Sequence, residues 1–346
     1  MKAVGYKTPG PIDREDALVD VTLDTPRAEG RDLLVKVNAV SINPVDAKLR
    51  ARKGAEGDDG DEWKILGFDA AGVVEAVGGE VQNFKPGDAV YYAGSLVRPG
   101  TNSEFHLVDE RIVGNKPGTL SDAEAAALPL TAITAWEMLF DRLDVGRPTA
   151  QGGKTILVIG GAGGVGSITI QLLRALTDLT IIATASRPET ESWVKECGAH
   201  HVVDHRQSLA PQVAALGVGA PGFVFSTTQT NKHIADIIEL IAPQGRFGLI
   251  DDPPGLDFMP FKLKSVSLHW ELMFTRSLFG TPDMHEQGKL LDEVASLVDA
   301  GRIRSTVTEV AGKIDAATLR KVHAQIESGS SRGKIVLEGF GGDRDD

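Results

Sequence analysis

Two periodicities divide the chain. Up to about residue 120 the apolar positions follow a strand pattern. LLVKVNAVSI (Leu33 to Ile42) alternates, AAGVVEAVG (Ala70 to Gly78) is β-branched and punctuated by glycine, and KPGDAVYYAG (Lys85 to Gly94) joins a Pro-Gly-Asp turn to a further strand. These segments predict a compact β-rich body. Between them RKGAEGDDGDE (Arg52 to Glu62) is polar, acidic and glycine-rich, which predicts a mobile surface loop.

From Ser121, placed as a helix N-cap, the spacing becomes helical through DAEAAALPL and TAITAWEMLF. Short apolar runs (TILVI, TIIATA, HHVVDH, GFVFST, GRFGLID) then alternate with helical segments such as HIADIIELI. That order predicts a doubly wound α/β unit around a mostly parallel sheet. SVSLHWELM (Ser265 to Met273) reads as one more strand, followed by an amphipathic helix (GKLLDEVASLVDAG), a closing strand (GKIVLEG) and a frayed tail (GGDRDD). The expectation is an α/β protein in which a nucleotide-type domain, residues 127–273, is inserted into a β-rich domain formed by residues 1–126 and 274–346.

Composition narrows the function classes. A chain of 346 residues exceeds one ordinary core, which suits two domains. With 48 acidic against 36 basic side chains the formal net charge is −12, which opposes approach to nucleic acid or an anionic membrane. No apolar run nears a membrane span and MKAVGYKTPG has no apolar leader, so a cytoplasmic protein with a small-molecule partner is expected. Cys197 is the only cysteine, excluding an internal disulfide and a multi-cysteine metal site. Its place at a helix end marks it as a small packing residue.

TILVIGGAGGVGSITIQLLR (Thr155 to Arg174) carries the first chemistry. A strand buried on both faces, glycines in G-x-G-x-x-G spacing and a helix follow in that order. In a βαβ unit the first glycine permits the tight turn, the second lets the backbone approach a pyrophosphate, and the third lets helix pack on strand. Gly161, Gly163, Gly164, Val165 and Gly166 are therefore the candidate pyrophosphate loop, at a helix N-terminus whose free N–H groups favour anions. A glycine-rich turn without a ligand is the alternative. The second strand, Thr180 to Ala185, ends without the acid that would bind the ribose 2′-OH of NAD. Ser186 and Arg187 follow instead, a hydroxyl and a guanidinium suited to a 2′-phosphate or to solvent. The pattern favours NADPH over NADH.

SINPVDAKLR, GFDAAGVVEAVG, FKPGDAVY, LPLTAITAWEML, VIGGAGGVG and GKIVLEG together resemble the medium-chain dehydrogenase/reductase superfamily over nearly the whole chain. The resemblance implies a GroES-like catalytic domain, a Rossmann cofactor domain and an active site in the cleft between them. Zinc-dependent members carry a cysteine in C-x-x-D, a histidine in GHE and a third ligand shortly before T-x-Y. Here those positions hold Asn43, Phe68 and, by spacing, Leu130, and the four-cysteine structural lobe is absent. No metal site is expected. That moves the resemblance to the quinone oxidoreductase branch that includes zeta-crystallin. It implies an NADPH-dependent, zinc-independent transfer of hydride to a quinone or an α,β-unsaturated carbonyl. Such a substrate is already electrophilic, so the protein must supply orientation, a dry pocket and a donor for the oxygen. A 2-enoyl thioester reductase, a zinc-type alcohol dehydrogenase and a catalytically silent NADPH-binding sensor are the alternatives.

On this resemblance Asn43 and Asp46 line the cleft beside the nicotinamide, Asn43 as a donor and Asp46 as an orienting group. The residues alone also allow both to cap the turn at Pro44. Tyr92 is a phenol donor or a wall residue, and Asp69 a structural carboxylate. Thr134 falls at the nicotinamide side, and His205 lies beside the adenosine or on the surface. Trp270 and Phe274 wall the substrate pocket or form an apolar contact between subunits. The SVSLHWELM edge would pair with its own copy across a two-fold axis, making a homodimer.

Overall fold

The computed structural model describes residues 1–52, 62–149 and 153–341. The predicted loop Arg52 to Glu62 and the tail GGDRDD fall largely outside these residues. The chain opens with β1 (Lys2–Tyr6), β2 (Val19–Thr22), β3 (Asp32–Ser41), α1 (Pro44–Ala51), β4 (Lys64–Ile65) and β5 (Ala70–Val77). It continues with β6 (Ala89–Tyr92), β7 (Phe105–Asp109), β8 (Val113–Asn115), α2 (Asp122–Ala126) and α3 (Pro129–Trp136). Then come β9 (Thr155–Ile159), α4 (Gly164–Leu176), β10 (Thr180–Thr184), α5 (Pro188–Glu196), β11 (His201–Val203) and α6 (Leu209–Ala215). β12 (Phe223–Ser226), α7 (Thr230–Leu240), β13 (Arg246–Leu249) and β14 (Ser267–Trp270) complete the alternating region. The last elements are α8 (Thr275–Phe279), α9 (Glu286–Asp299), β15 (Val307–Ile314), α10 (Ala316–Glu327) and β16 (Lys334–Phe340).

The chain divides into two compact units: Met1–Leu130 with Phe274–Asp346, and Thr131–Met273. In the first, β2-β1-β4 form a small antiparallel sheet, and β15-β16-β3-β5-β6-β8 form a larger one with β7 also paired to β3. The central strand β3 is buried along most of its length, with Lys36 its one exposed residue. The closing strand β16 lies antiparallel to β3, with Val336 opposite Ser41. Ser121 caps α2 as predicted: its hydroxyl accepts from the Glu124 N–H at 3.2 Å, and the Glu124 carboxylate accepts from the Ser121 N–H at 2.9 Å.

In the second unit six strands run parallel in the order β11-β10-β9-β12-β13-β14. This is the doubly wound order, with the chain reversing direction across the sheet at β9. All five residues of β9 are buried, because helices cover both faces of the sheet. β14 is the edge strand, as predicted, and Trp270 at its end is 58% exposed. No helix among the described residues is long and apolar enough to cross a membrane.

Candidate functional site

Two arrangements carry chemistry, one in each unit. The first is the loop between β9 and α4. The left-handed turn sits at Gly160, with φ +80°, one residue before the glycine to which the sequence pattern assigns it. The Gly160 N–H donates to the Thr184 hydroxyl at 3.0 Å, tying the turn to β10. A Cβ at Gly161 would stand 2.9 Å from the Ala183 Cβ, so this glycine serves the approach of loop to strand. A Cβ at Gly166 would lie 2.3 Å from the Gly160 carbonyl oxygen, so the third glycine allows α4 to start against the turn. Gly163 differs: the nearest atom to its Cβ would be the Gly160 oxygen at an ordinary 3.5 Å. No packing among the described residues demands glycine there. Gly163 is the N-cap of α4. Gly164, Val165 and Gly166 open the helix, so their N–H groups have no intrahelical acceptor. The donor set and the space above Gly163 fit a dinucleotide pyrophosphate.

Ser186 and Arg187 leave the end of β10, and His205 leaves the end of the neighbouring β11, so all three stand at the carboxyl edge of the parallel sheet. Arg187 caps α5 and its guanidinium contacts Glu189 at 3.0 Å. His205 meets the His233 ring edge-on at 6.5 Å, and burial lowers the pKa of both imidazoles. His200 does not join them. Its Nδ1 accepts from the Ile181 N–H at 2.9 Å, a structural role on β10. Thr134 is buried on α3, and Cys197 is buried at the end of α5.

The second arrangement is a polar cluster buried in the first unit. Asn43 is the N-cap of α1, where the extended backbone of β3 turns into the helix at Pro44. Asp46, one turn on, accepts from the Asn43 N–H at 2.8 Å with one oxygen and from the Gly67 N–H at 2.9 Å with the other. It thereby fixes the α1 start to the segment before β5. Burial raises its carboxyl to about 7, against the pull of those two N–H groups and of Lys334. Asp69 accepts from the Asn43 side-chain amide at 2.8 Å, the Leu130 N–H at 2.7 Å and the Lys334 ammonium at 3.2 Å. The Lys334 ammonium also donates to the Ile42 carbonyl at 3.0 Å and to the Asn43 side-chain oxygen. Burial raises the Asp69 carboxyl and lowers the Lys334 ammonium, while the charge of each opposes the shift in the other.

Sequence reasoning grouped Asn43 with Asp46 and read Asp69 separately as a structural carboxylate, and it missed Lys334. The available signal was a lysine followed directly by three apolar strand residues, Ile335, Val336 and Leu337, since a buried ammonium requires acceptors. Tyr92 stands apart on β6, wholly buried. The Pro99 carbonyl lies 2.9 Å from His106 Nε2 and can only accept, so that nitrogen carries the proton. Nδ1 is then the acceptor for the Tyr92 hydroxyl at 3.1 Å. Burial raises the phenol further. Phe274 packs edge-on against Phe68 at 5.2 Å, and Trp270 packs against Phe258 at 5.6 Å.

These residues do not fit a catalytic zinc. Phe68 is engaged in aromatic packing and Leu130 contributes only a backbone N–H. The Asn43 oxygen, the one candidate donor at the three positions, accepts from an ammonium. Among the described residues no group of three or more His, Cys, Asp or Glu side chains is placed to hold a metal ion.

Residues 29–129 match the alcohol dehydrogenase GroES-like domain, and residues 197–337 match the zinc-binding dehydrogenase family. A zinc-type alcohol dehydrogenase-like protein of Staphylococcus aureus is 38% identical over 97% of this chain and 99% of its own. A human mitochondrial NAD(P)H oxidoreductase is 30% identical over 88% of this chain and 81% of its own. A crystal structure from Rhizobium etli, assigned to the zinc-dependent alcohol dehydrogenases, is 62% identical with a TM-score of 0.96, covering 99% of this chain and 98% of its own. A quinone oxidoreductase of Coxiella burnetii is 25% identical with a TM-score of 0.80, covering 98% of this chain and 99% of its own. The chain belongs to the medium-chain dehydrogenase/reductase superfamily of oxidoreductases, among its zinc-type alcohol dehydrogenase-like members.

Proposed function

We propose that this chain is an NADPH-dependent, zinc-independent reductase of a quinone or an α,β-unsaturated carbonyl. The observation that carries the reading is the residue set at the three ligand positions, Asn43, Phe68 and Leu130, which offers no thiolate, imidazole or carboxylate to a metal. An electrophilic conjugated substrate needs no Lewis acid to accept hydride, whereas a simple carbonyl gains much from one. The names of the human and Coxiella relatives support the same class.

In this reading Gly161, Gly163, Gly164, Val165 and Gly166 hold the pyrophosphate, Ser186 and Arg187 the 2′-phosphate, His205 the adenosine and Thr134 the nicotinamide side. The bound nicotinamide supplies hydride. Asn43 donates to the substrate oxygen through its second amide hydrogen, the one now making a 3.3 Å contact to the Ser41 carbonyl. Asp46 holds the Asn43 backbone in place. Tyr92 serves as a wall residue unless its bond to His106 breaks. The protein works as a homodimer joined through the β14 edge.

The test is NADPH oxidation, followed by absorbance, with a panel of small quinones and a panel of enals. Turnover on either panel supports the proposal. Tight NADPH binding without turnover on both would replace it with a cofactor-binding role.

A further inference from the structure

The buried cluster contains a cation of its own. An ammonium has three N–H donors, and Lys334 directs them to three acceptors: the Ile42 carbonyl, the Asn43 side-chain oxygen and the Asp69 carboxylate. All of these groups are buried, and none of the ammonium's donors is left for solvent. The closing strand delivers it, because β16 pairs with β3 and the Ile42 N–H donates to the Ile335 carbonyl at 3.2 Å, next to Lys334.

The pairing also decides which way the Asn43 amide faces. An ammonium cannot accept, so the amide must turn its oxygen to Lys334. An ionised carboxylate cannot donate, so the amide must turn its nitrogen to Asp69. With both neighbours present one orientation satisfies every group. The flipped orientation sets N–H₂ against an ammonium and C=O against a carboxylate.

We propose that Lys334 is a positioning residue. It serves as a built-in cation that locks the Asn43 amide, and its ammonium adds to the lack of ligands at Phe68 and Leu130 in barring a divalent metal from this cluster. A metal ion drawn to the Asn43 and Asp69 oxygens would have to displace a cation that already holds both. The kinetic consequence rests on the reductase reading, while the orientation and metal exclusion do not.

The test compares wild type with Lys334→Met and with the Asp69→Asn, Lys334→Met double variant. Lys334→Met alone strands a buried carboxylate and is expected to lower the denaturation midpoint. The double variant removes both charges and is expected to regain most of it. In protein labelled with ¹⁵N-asparagine, wild type shows one set of slowly exchanging Asn43 side-chain signals, identified by their loss in Asn43→Ser. The double variant shows two Asn43 sets, told from the amide that Asp69→Asn introduces by their loss when Asn43→Ser is added, or exchange broadening. With a substrate in hand, the double variant loses kcat by roughly a hundredfold while its KM for NADPH is unchanged. Titration with cobalt(II) gives no stoichiometric site in wild type.

A single sharp Asn43 set in the double variant would overturn the positioning role. So would full recovery of kcat with stability, which would make the pair structural only. Stoichiometric cobalt in wild type, lost on Asn43→Ser, would overturn the exclusion. If no substrate turns over at all, the amide signals and the cobalt titration still decide the matter.

Discussion

Two alanine substitutions in one loop separate a packing glycine from a ligand-facing one. At Gly166 a methyl group would stand 2.3 Å from the Gly160 oxygen and 2.7 Å from the Gly161 Cα, both backbone atoms of a tight turn. Neither can yield as a flexible side chain would, so α4 must move away from β9. Overpacking of this kind costs about 1–3 kcal/mol, here toward the upper end. At Gly163 the nearest contact is an ordinary 3.5 Å, and the backbone, φ −73° and ψ 175°, is open to any residue. The loss there is only the poorer N-cap preference of alanine, about 1 kcal/mol or less. A methyl at Gly163 would nevertheless occupy the space through which a pyrophosphate reaches the helix N-terminus. Urea denaturation without cofactor, together with NADPH titration by fluorescence, reads the two effects. Gly163→Ala is expected to keep a near wild-type midpoint and to lose about ten- to a hundredfold in NADPH affinity, or about 1.4–2.8 kcal/mol. Gly166→Ala is expected to lower both. Wild-type NADPH affinity in Gly163→Ala would refute the reasoning and leave the loop a packing device only.

Arg187→Ala is expected to weaken NADPH by about ten- to a hundredfold and leave NADH nearly unchanged, since a charge-assisted phosphate contact contributes about 1.5–3 kcal/mol. An equal loss for both cofactors would dismiss the 2′-phosphate assignment. Burial lowers His106 from 6.5 to about 4, so the folded state keeps it neutral. That contribution is complete above pH 6.5 and is lost as pH falls through 4, about 3 kcal/mol across the interval. The stability advantage of wild type over His106→Gln should shrink accordingly, and a pH-independent difference would count against it. On β14 the Ser267 N–H donates inward to Gly245 at 3.1 Å and the Glu271 N–H to Leu249 at 3.3 Å. The alternation turns the Leu268 N–H outward, away from β13, where a partner strand would pair. Leu268→Pro removes that outward donor and is expected to convert a homodimer to monomer or aggregate. Light scattering giving one chain mass for wild type would refute the dimer.

The sequence by itself determined what depends on residue type and local order. Alternation marked β3, a β-branched run punctuated by glycine marked β5, a Pro-Gly-Asp turn marked the start of β6, and the strand–glycine–helix succession marked β9 and α4. The six-strand parallel sheet followed from the βα alternation, because parallel neighbours require crossovers. Asn43, Phe68 and Leu130 stand where zinc-dependent members carry ligands, and none of the three offers a thiolate, imidazole or carboxylate. Short strands such as β1, β2 and β4 carried too few positions for a period to show. Tertiary structure decided who meets whom. Periodicity tells which face a side chain takes, but register and closure of the sheet choose its neighbour. Lys334 reaches Asn43 across 291 positions only because β16 closes against β3. Tyr92 meets His106 only through the packing of the large sheet. The left-handed turn fell to Gly160 because Thr227 and Thr184 crowd that point, where a Cβ would lie 2.2 Å from the Thr227 hydroxyl. That contact links β9 to segments 24 and 67 residues further along the chain (184 − 160 and 227 − 160), which no local pattern encodes.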